Sequence, residues 1–109
     1  MAWQAIYRYA RISARKARLA ADLIRGRNAQ KALDLLKFSP QLASTLLSKT
    51  LTSAVANANE AEANVDKLYV KEARVDEGPV MKRIRAKDRG RAHPILKRTS
   101  HIVVVVDEA

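Results

Sequence analysis

The stretch from Gly78 to Asp107, GPVMKRIRAKDRGRAHPILKRTSHIVVVVD, constrains the fold most. Two basic arms flank Gly90. The first rises through Lys82, Arg83, Arg85 and Lys87. The second returns through Lys97 and Arg98 into the apolar run Ile102 to Val106. Glycine supplies the positive φ that a tight reversal needs, so the pattern predicts a long antiparallel hairpin with its tip near Gly90. Arms of about ten residues reach roughly 30 Å at about 3.4 Å per residue. A domain of this length has a radius of gyration of about 13 Å, so most of the hairpin should stand clear of the core. An isolated two-stranded ribbon is marginal in water. Eight Lys and Arg against one acid, Asp88, between Pro79 and Ser100 imply that a polyanion orders it. The competing reading is a basic loop on an ordinary domain. The Val run, a strand that needs a partner, favours the hairpin.

The rest of the chain supplies the base for that ribbon. With 109 residues there is room for one domain with one modest core. The net charge of +10 is unlike that of a typical enzyme, while 48% hydrophobic residues exclude a merely disordered basic tail. Basic residues lie toward both ends of the chain, which predicts several contact surfaces on one large anionic partner. There is no cysteine, hence no disulfide framework and no thiolate metal site. No signal peptide is visible, and Ile102 to Val106 is far too short to span a bilayer. These features predict a soluble intracellular protein.

Ala2 to Ile12 reads as a strand, with Trp3, Ile6, Tyr7, Tyr9 and Ile12 interleaved by Arg8 and Arg11. Its aromatics either pack on the core or stack on bases. Ser13 caps a helix from Ala14 to Arg25 that Gly26 closes. Leu19, Ala20, Leu23 and Ile24 form its expected apolar face, and Arg15, Arg18, Asp22 and Arg25 another, where Asp22 can pair with both Arg18 and Arg25. Arg8, Arg11, Arg15, Lys16 and Arg18 fall close together. They read either as a solvated helix face or as phosphate contacts.

Asn28 caps a second helix, Ala29 to Lys37, packed through Ala32, Leu33, Leu35 and Leu36. Ser39-Pro40 should start a third, with Ser at the N-cap and Pro at the first helical position, running to about Ala63. Its apolar stripe is Ala43, Leu46, Leu47, Leu51, Ala54, Val55 and Ala58, with Ser44, Thr45, Ser48, Thr52 and Asn59 opposite. After a turn at Asn64 to Asp66, Lys67 to Asp76 is a strand. Leu68 and Val70 share one parity, Ala73 and Val75 the other, which predicts a bulge near Lys71-Glu72. Pro94 removes a ladder donor, so the ribbon should be irregular there. The fold class is α+β: three helices packed on a small antiparallel sheet with a long protruding β-hairpin. The globular part spans 1–79 and 100–109, the hairpin 80–99.

Chemistry is sparse. Ser100 and His101 are adjacent on a strand and point to opposite faces, which removes a nucleophile–base pair. His93 and His101 are too few for a metal cluster, and Gly26, Gly78 and Gly90 form no phosphate-cradling loop. Asp76-Glu77 reads as neutralising nearby Arg. Binding remains, with no cofactor and no small-molecule substrate. About six phosphate contacts would give a log–log salt slope of roughly −4 to −5. Duplex DNA or structured RNA satisfies the charge. The hairpin tip has Arg but no Asn or Gln for base readout, which favours a folded RNA threaded by a thin basic projection.

The segments SARKARL at Ser13 to Leu19, DLIRG at Asp22 to Gly26, VDEGP with MKR at Val75 to Arg83, RGRA at Arg89 to Ala92 and KRTSHI at Lys97 to Ile102 carry a resemblance. In order and spacing the chain resembles the large-ribosomal-subunit protein twenty-two family, in its bacterial or organellar form. The resemblance implies a structural protein of a cytoplasmic or organellar ribosome. Its partners would be large-subunit rRNA, neighbouring ribosomal proteins and the nascent polypeptide, with no membrane. It implies rRNA contacts at Arg8, Arg11, Arg15, Lys16, Arg18, Arg25, Lys82, Arg83, Arg85, Lys87, Arg89, Arg91, Lys97 and Arg98. It also implies that the hairpin tip, Lys87, Asp88, Arg89, Gly90, Arg91 and Ala92, lines the polypeptide exit tunnel. The alternative class is a regulator acting on DNA or messenger RNA.

Overall fold

The structure, a computed structural model, describes residues 2–39, 41–87 and 91–108, and for 81–87 and 91–97 the backbone. Strand β1 (Ala2–Ala10) leads into helix α1 (Ala14–Ile24), α2 (Ala29–Phe38) and α3 (Leu42–Glu60). A single 3-10 turn, Val65–Lys67, precedes β2 (Leu68–Glu77), β3 (Met81–Lys87), β4 (Arg91–Lys97) and β5 (Ser100–Glu108). The α+β class holds.

The Val run is the centre of the sheet, whose strand order is β1-β5-β2 with antiparallel pairing on both sides. Ile102, Val104 and Val106 point into the helices and are fully buried. Burying each is worth about 1.5–3 kcal/mol. Val103, on the other face, is only 3% exposed because Ile6 and Arg74 flank it on the neighbouring strands. Flanked by strands on both sides, the central strand is shielded at Val103 as well as on its helix-facing parity, which suits the unbroken run. On β2, Val70 faces Val106 and Glu72 faces Val105, so the expected bulge sits at Lys71. It returns Ala73 and Val75 to the core face.

α1 packs on an unexpected face. Ala14, Ala17, Ala20, Ala21 and Ile24 are buried, whereas Leu19 is 61% and Leu23 47% exposed. Small side chains at i, i+3, i+6, i+7 and i+10 let the helix approach the sheet closely, and that seam wins over the bulkier leucines. In α2, Ala29, Ala32 and Leu36 are buried, Leu33 is partly buried and Leu35 turns outward. α3 buries the expected Ala43, Leu47, Leu51, Ala54 and Ala58, but also Ser44 and Thr50. Thr50 donates to the Leu46 carbonyl at 2.9 Å, four residues back. Ser44, expected on the polar face, is fully buried in the first turn.

The start of α3 also differs. Ser39 is the C-cap of α2, with its amide bonded to the Leu36 carbonyl, and the N-cap of α3 is Gln41. A residue before proline is pushed to extended backbone, and Ser39 has φ −86 and ψ 127. The predicted helical position of Pro40 lies outside the described residues. α3 ends at Glu60, three residues short of Ala63, where Glu62 takes a left-handed φ of 62.

β3 and β4 form a two-stranded sheet of their own, in unbroken register from Met81 opposite Lys97 to Lys87 opposite Arg91. Pro94 sits opposite Ile84 without a register shift, against expectation. A two-stranded ribbon turns half its backbone groups outward, where a missing donor costs no ladder bond. The molecule measures 62 × 25 × 16 Å, with a radius of gyration of 16.8 Å against about 13 Å for a compact chain of this length. The hairpin therefore protrudes. Its tip, Asp88 to Gly90, lies outside the described residues.

Candidate nucleic-acid interface

Charge is unevenly spread along the chain. Five Lys and Arg and no acid precede Asp22, and eight against one acid lie between Gly78 and Val106, while 22–77 holds eight of each. The fold brings the two basic segments together. β5 pairs with β1, so the base of the hairpin lies beside the turn into α1. Ser100 donates to the Ile12 carbonyl at 2.7 Å and locks that junction from inside.

At the junction an open groove of about 850 Å3 is lined by Arg11, Ile12, Lys16, Leu19, Leu42 and Arg98, among others. Arg11, Lys16 and Arg98 are exposed, and among the described residues their side chains make no hydrogen bond or ion pair. The same holds for Arg8 and Arg15. Five of the predicted cations are thus free to meet an external anion. Leu19 and Leu42 were not anticipated as site residues. For Leu19 the clue available was its bulk beside a basic cluster; for Leu42 the sequence held none.

Two predicted cations are used differently. Arg18 donates from Nε and Nη2 to the Val75 carbonyl, at 3.2 and 3.1 Å. Arg25 donates to the Ala73 carbonyl at 2.6 Å and to Asp22 at 2.8 Å. Both cap outward carbonyls of β2, an edge strand that would otherwise expose a pairing surface. Asp22 therefore pairs with Arg25, and Arg18 goes to the sheet instead. Arg18 and Arg25 thus hold α1 on the β2 edge.

The root of the hairpin is a clasp. The Gly78 amide donates to the Thr99 carbonyl at 2.9 Å, and the Thr99 hydroxyl donates to the Pro79 carbonyl at 2.7 Å. A Cβ on Gly78 would stand 2.5 Å from Thr99 Oγ1 and 3.3 Å from its carbonyl carbon and oxygen, so only glycine fits without a shift. Beyond the clasp, β3 carries Lys82, Arg83, Arg85 and Lys87, and β4 carries Arg91, Ala92 and Lys97. Asp88, Arg89 and Gly90 lie outside the described residues.

A family model described as Ribosomal protein L22p/L17e matches residues 5–107, spanning the helices, the sheet and the ribbon. The chain belongs to this family. As a member of the L22p/L17e family it is a structural protein of the large ribosomal subunit, located in the ribosome, and not an enzyme.

Ser100 faces inward and bonds Ile12, whereas His101 lies on the outer face of the sheet. There the Tyr9 amide donates to His101 Nδ1 at 3.1 Å, and the two rings meet edge to face with centroids 4.9 Å apart. That contact accompanies a register shift in β1 between Tyr7 and Ala10, where Tyr9 adopts a left-handed φ of 57. Trp3 packs partly on the core, so of the three aromatics only Tyr7 and Tyr9 offer exposed rings. Asp76 sits 3.4 Å and Glu72 3.0 Å from Arg74. The hydrogen bond that Arg74 donates to Glu72, then the charge of Asp76, raise the Arg74 pKa above its ordinary value. Among the described residues no three His, Cys, Asp or Glu cluster to hold a metal. Among the described residues no helix is long and apolar enough to cross a membrane.

Proposed function

We propose that this L22p/L17e protein binds large-subunit rRNA through two basic surfaces that meet at the hairpin root. One comprises Arg8, Arg11, Arg15 and Lys16. The other begins at Arg98 and Lys97 and continues along the ribbon through Lys82, Arg83, Arg85, Lys87, Arg89 and Arg91. Arg18 and Arg25 contribute charge from the β2 edge. The observation that carries the reading is the meeting of Arg11, Lys16 and Arg98, exposed and, among the described residues, unpaired, at one groove although 86 residues lie between the first and the last. Such convergence suits a folded polyanion that presents phosphates from several segments.

The ribbon extends this grip into the subunit, with its tip, residues 87–92, lining the polypeptide exit tunnel beside the nascent chain. Neighbouring ribosomal proteins, early assembly and placement in a cytoplasmic or organellar ribosome belong to the same reading. The test is binding to large-subunit rRNA across a salt series, with duplex DNA and transfer RNA as competitors. Retention against both, with a log–log salt slope of roughly −4 to −5, is the expected result. Complete displacement by duplex DNA would overturn the reading in favour of a DNA-directed protein.

A further inference from the structure

The groove at the hairpin root is lined by two unlike kinds of side chain. Arg11, Lys16 and Arg98 are cationic and Ile12, Leu19 and Leu42 apolar, and among the described residues no acid lines it. Contact with phosphates alone would need only the cations. Leu19 and Leu42 are each 61% exposed, large apolar side chains held in water inside a cationic site. A volume of about 850 Å3 lies within the range of small-ligand sites, about 300–1,000 Å3. Paired RNA keeps its bases stacked, whereas loops and bulges present splayed bases with apolar faces and flanking phosphates.

We propose that this groove seats a single unstacked nucleotide of the bound rRNA. Its base would lie on Ile12, Leu19 and Leu42, and its flanking phosphates on Arg11, Lys16 and Arg98. The proposal rests on the rRNA-binding reading and deepens it. An apolar segment of a neighbouring protein would suit the leucines, but it would leave three cations facing a site with no acid to answer them. The location gives the contact a use. Arg98 immediately precedes Thr99, whose hydroxyl is bonded to Pro79 across the root. A nucleotide held there is referenced to the base of the ribbon and sets the angle at which the ribbon enters the RNA.

The test uses the full chain with Leu19→Gln and Leu42→Gln together, compared with Arg11→Ala. Circular dichroism and thermal unfolding of the leucine variant should match the wild type, because both positions are exposed. Its affinity for large-subunit rRNA should fall roughly tenfold with an unchanged salt slope, since apolar contact and no phosphate contact is lost. Arg11→Ala should reduce the slope by about one. Chemical probing should show one nucleotide protected by the wild type and reactive with the leucine variant. Wild-type affinity and footprint in the leucine variant, with the slope effect of Arg11→Ala intact, would sink the nucleotide seat and leave rRNA binding standing. Normal rRNA binding but loss from subunits reconstituted with the other large-subunit proteins would assign the groove to a protein and equally overturn the proposal. Failure of the wild type itself to hold rRNA against duplex DNA would remove both readings.

Discussion

At the scale of single residues, the clasp and the sheet-edge arginines are the sensitive points. Gly78 is confined by Thr99, which is only 4% exposed and whose hydroxyl is committed to Pro79. Rotating Thr99 away breaks that bond, so Gly78→Ala should destabilise by about 1–3 kcal/mol. In a Thr99→Ala background the nearest obstruction is gone, and the same change should cost distinctly less. A double-mutant cycle in urea checks this, and additive effects would contradict it. The arginines divide by partner. Arg18→Ala strips the Val75 carbonyl of two donors and should cost about 1 kcal/mol, or about 4–8 °C in Tm. Arg15→Ala breaks no described contact. It should leave Tm within a degree or two while lowering the rRNA salt slope by about one. A larger slope change for Arg18→Ala than for Arg15→Ala would reverse the assignment.

At the scale of elements, α1 shows how size outranks hydrophobicity in choosing a face. A count of apolar bulk points to Leu19 and Leu23, yet the helix buries an alanine seam that can lie close to β2 and α3. Ala20→Leu should therefore overpack that seam and lose about 1–3 kcal/mol or more, whereas Leu19→Gln should stay within about 0.5 kcal/mol of wild type. Thermal unfolding of the two variants decides it. A costly Leu19→Gln would restore the leucine face. β2 behaves as its pattern requires: one extra residue at Lys71 converts a slip of parity into a bulge, and both halves of the strand keep their apolar side chains inward. β5 is legible because its run from Ile102 to Val106 is apolar at both parities, as a strand paired on both sides can be.

At the scale of the whole molecule, two bodies of different composition have separate sheets joined at the clasp. β2 and β5 pair down to Glu77 opposite Ser100, and the ribbon resumes at Met81 opposite Lys97 after the clasp. Because β3 and β4 pair only with each other, replacing 82–96 by a short Asn-Gly turn should leave the helical circular dichroism signal intact. The same variant should lose a large part of its salt-dependent rRNA affinity, having shed six Lys and Arg. Loss of the helical signal would show that the ribbon supports the fold.

Residue pattern alone determined the order of elements, the central apolar strand, the Lys71 bulge, the Asn28 cap and the protruding basic hairpin. Each is a local consequence of side-chain period, turn chemistry or charge density, and needs no knowledge of what packs where. Family motifs in the same residues pointed to the ribosome. Tertiary structure decided which face of α1 is buried, because close approach depends on the surface that receives the helix. It decided that Arg18 and Arg25 serve the β2 edge while Arg15 and Lys16 make no side-chain contact of that kind among the described residues, because only pairing partners distinguish basic residues on one helix. It also joined Arg11, Lys16 and Arg98 at a single groove, a proximity created by strand pairing between chain segments that lie far apart in sequence.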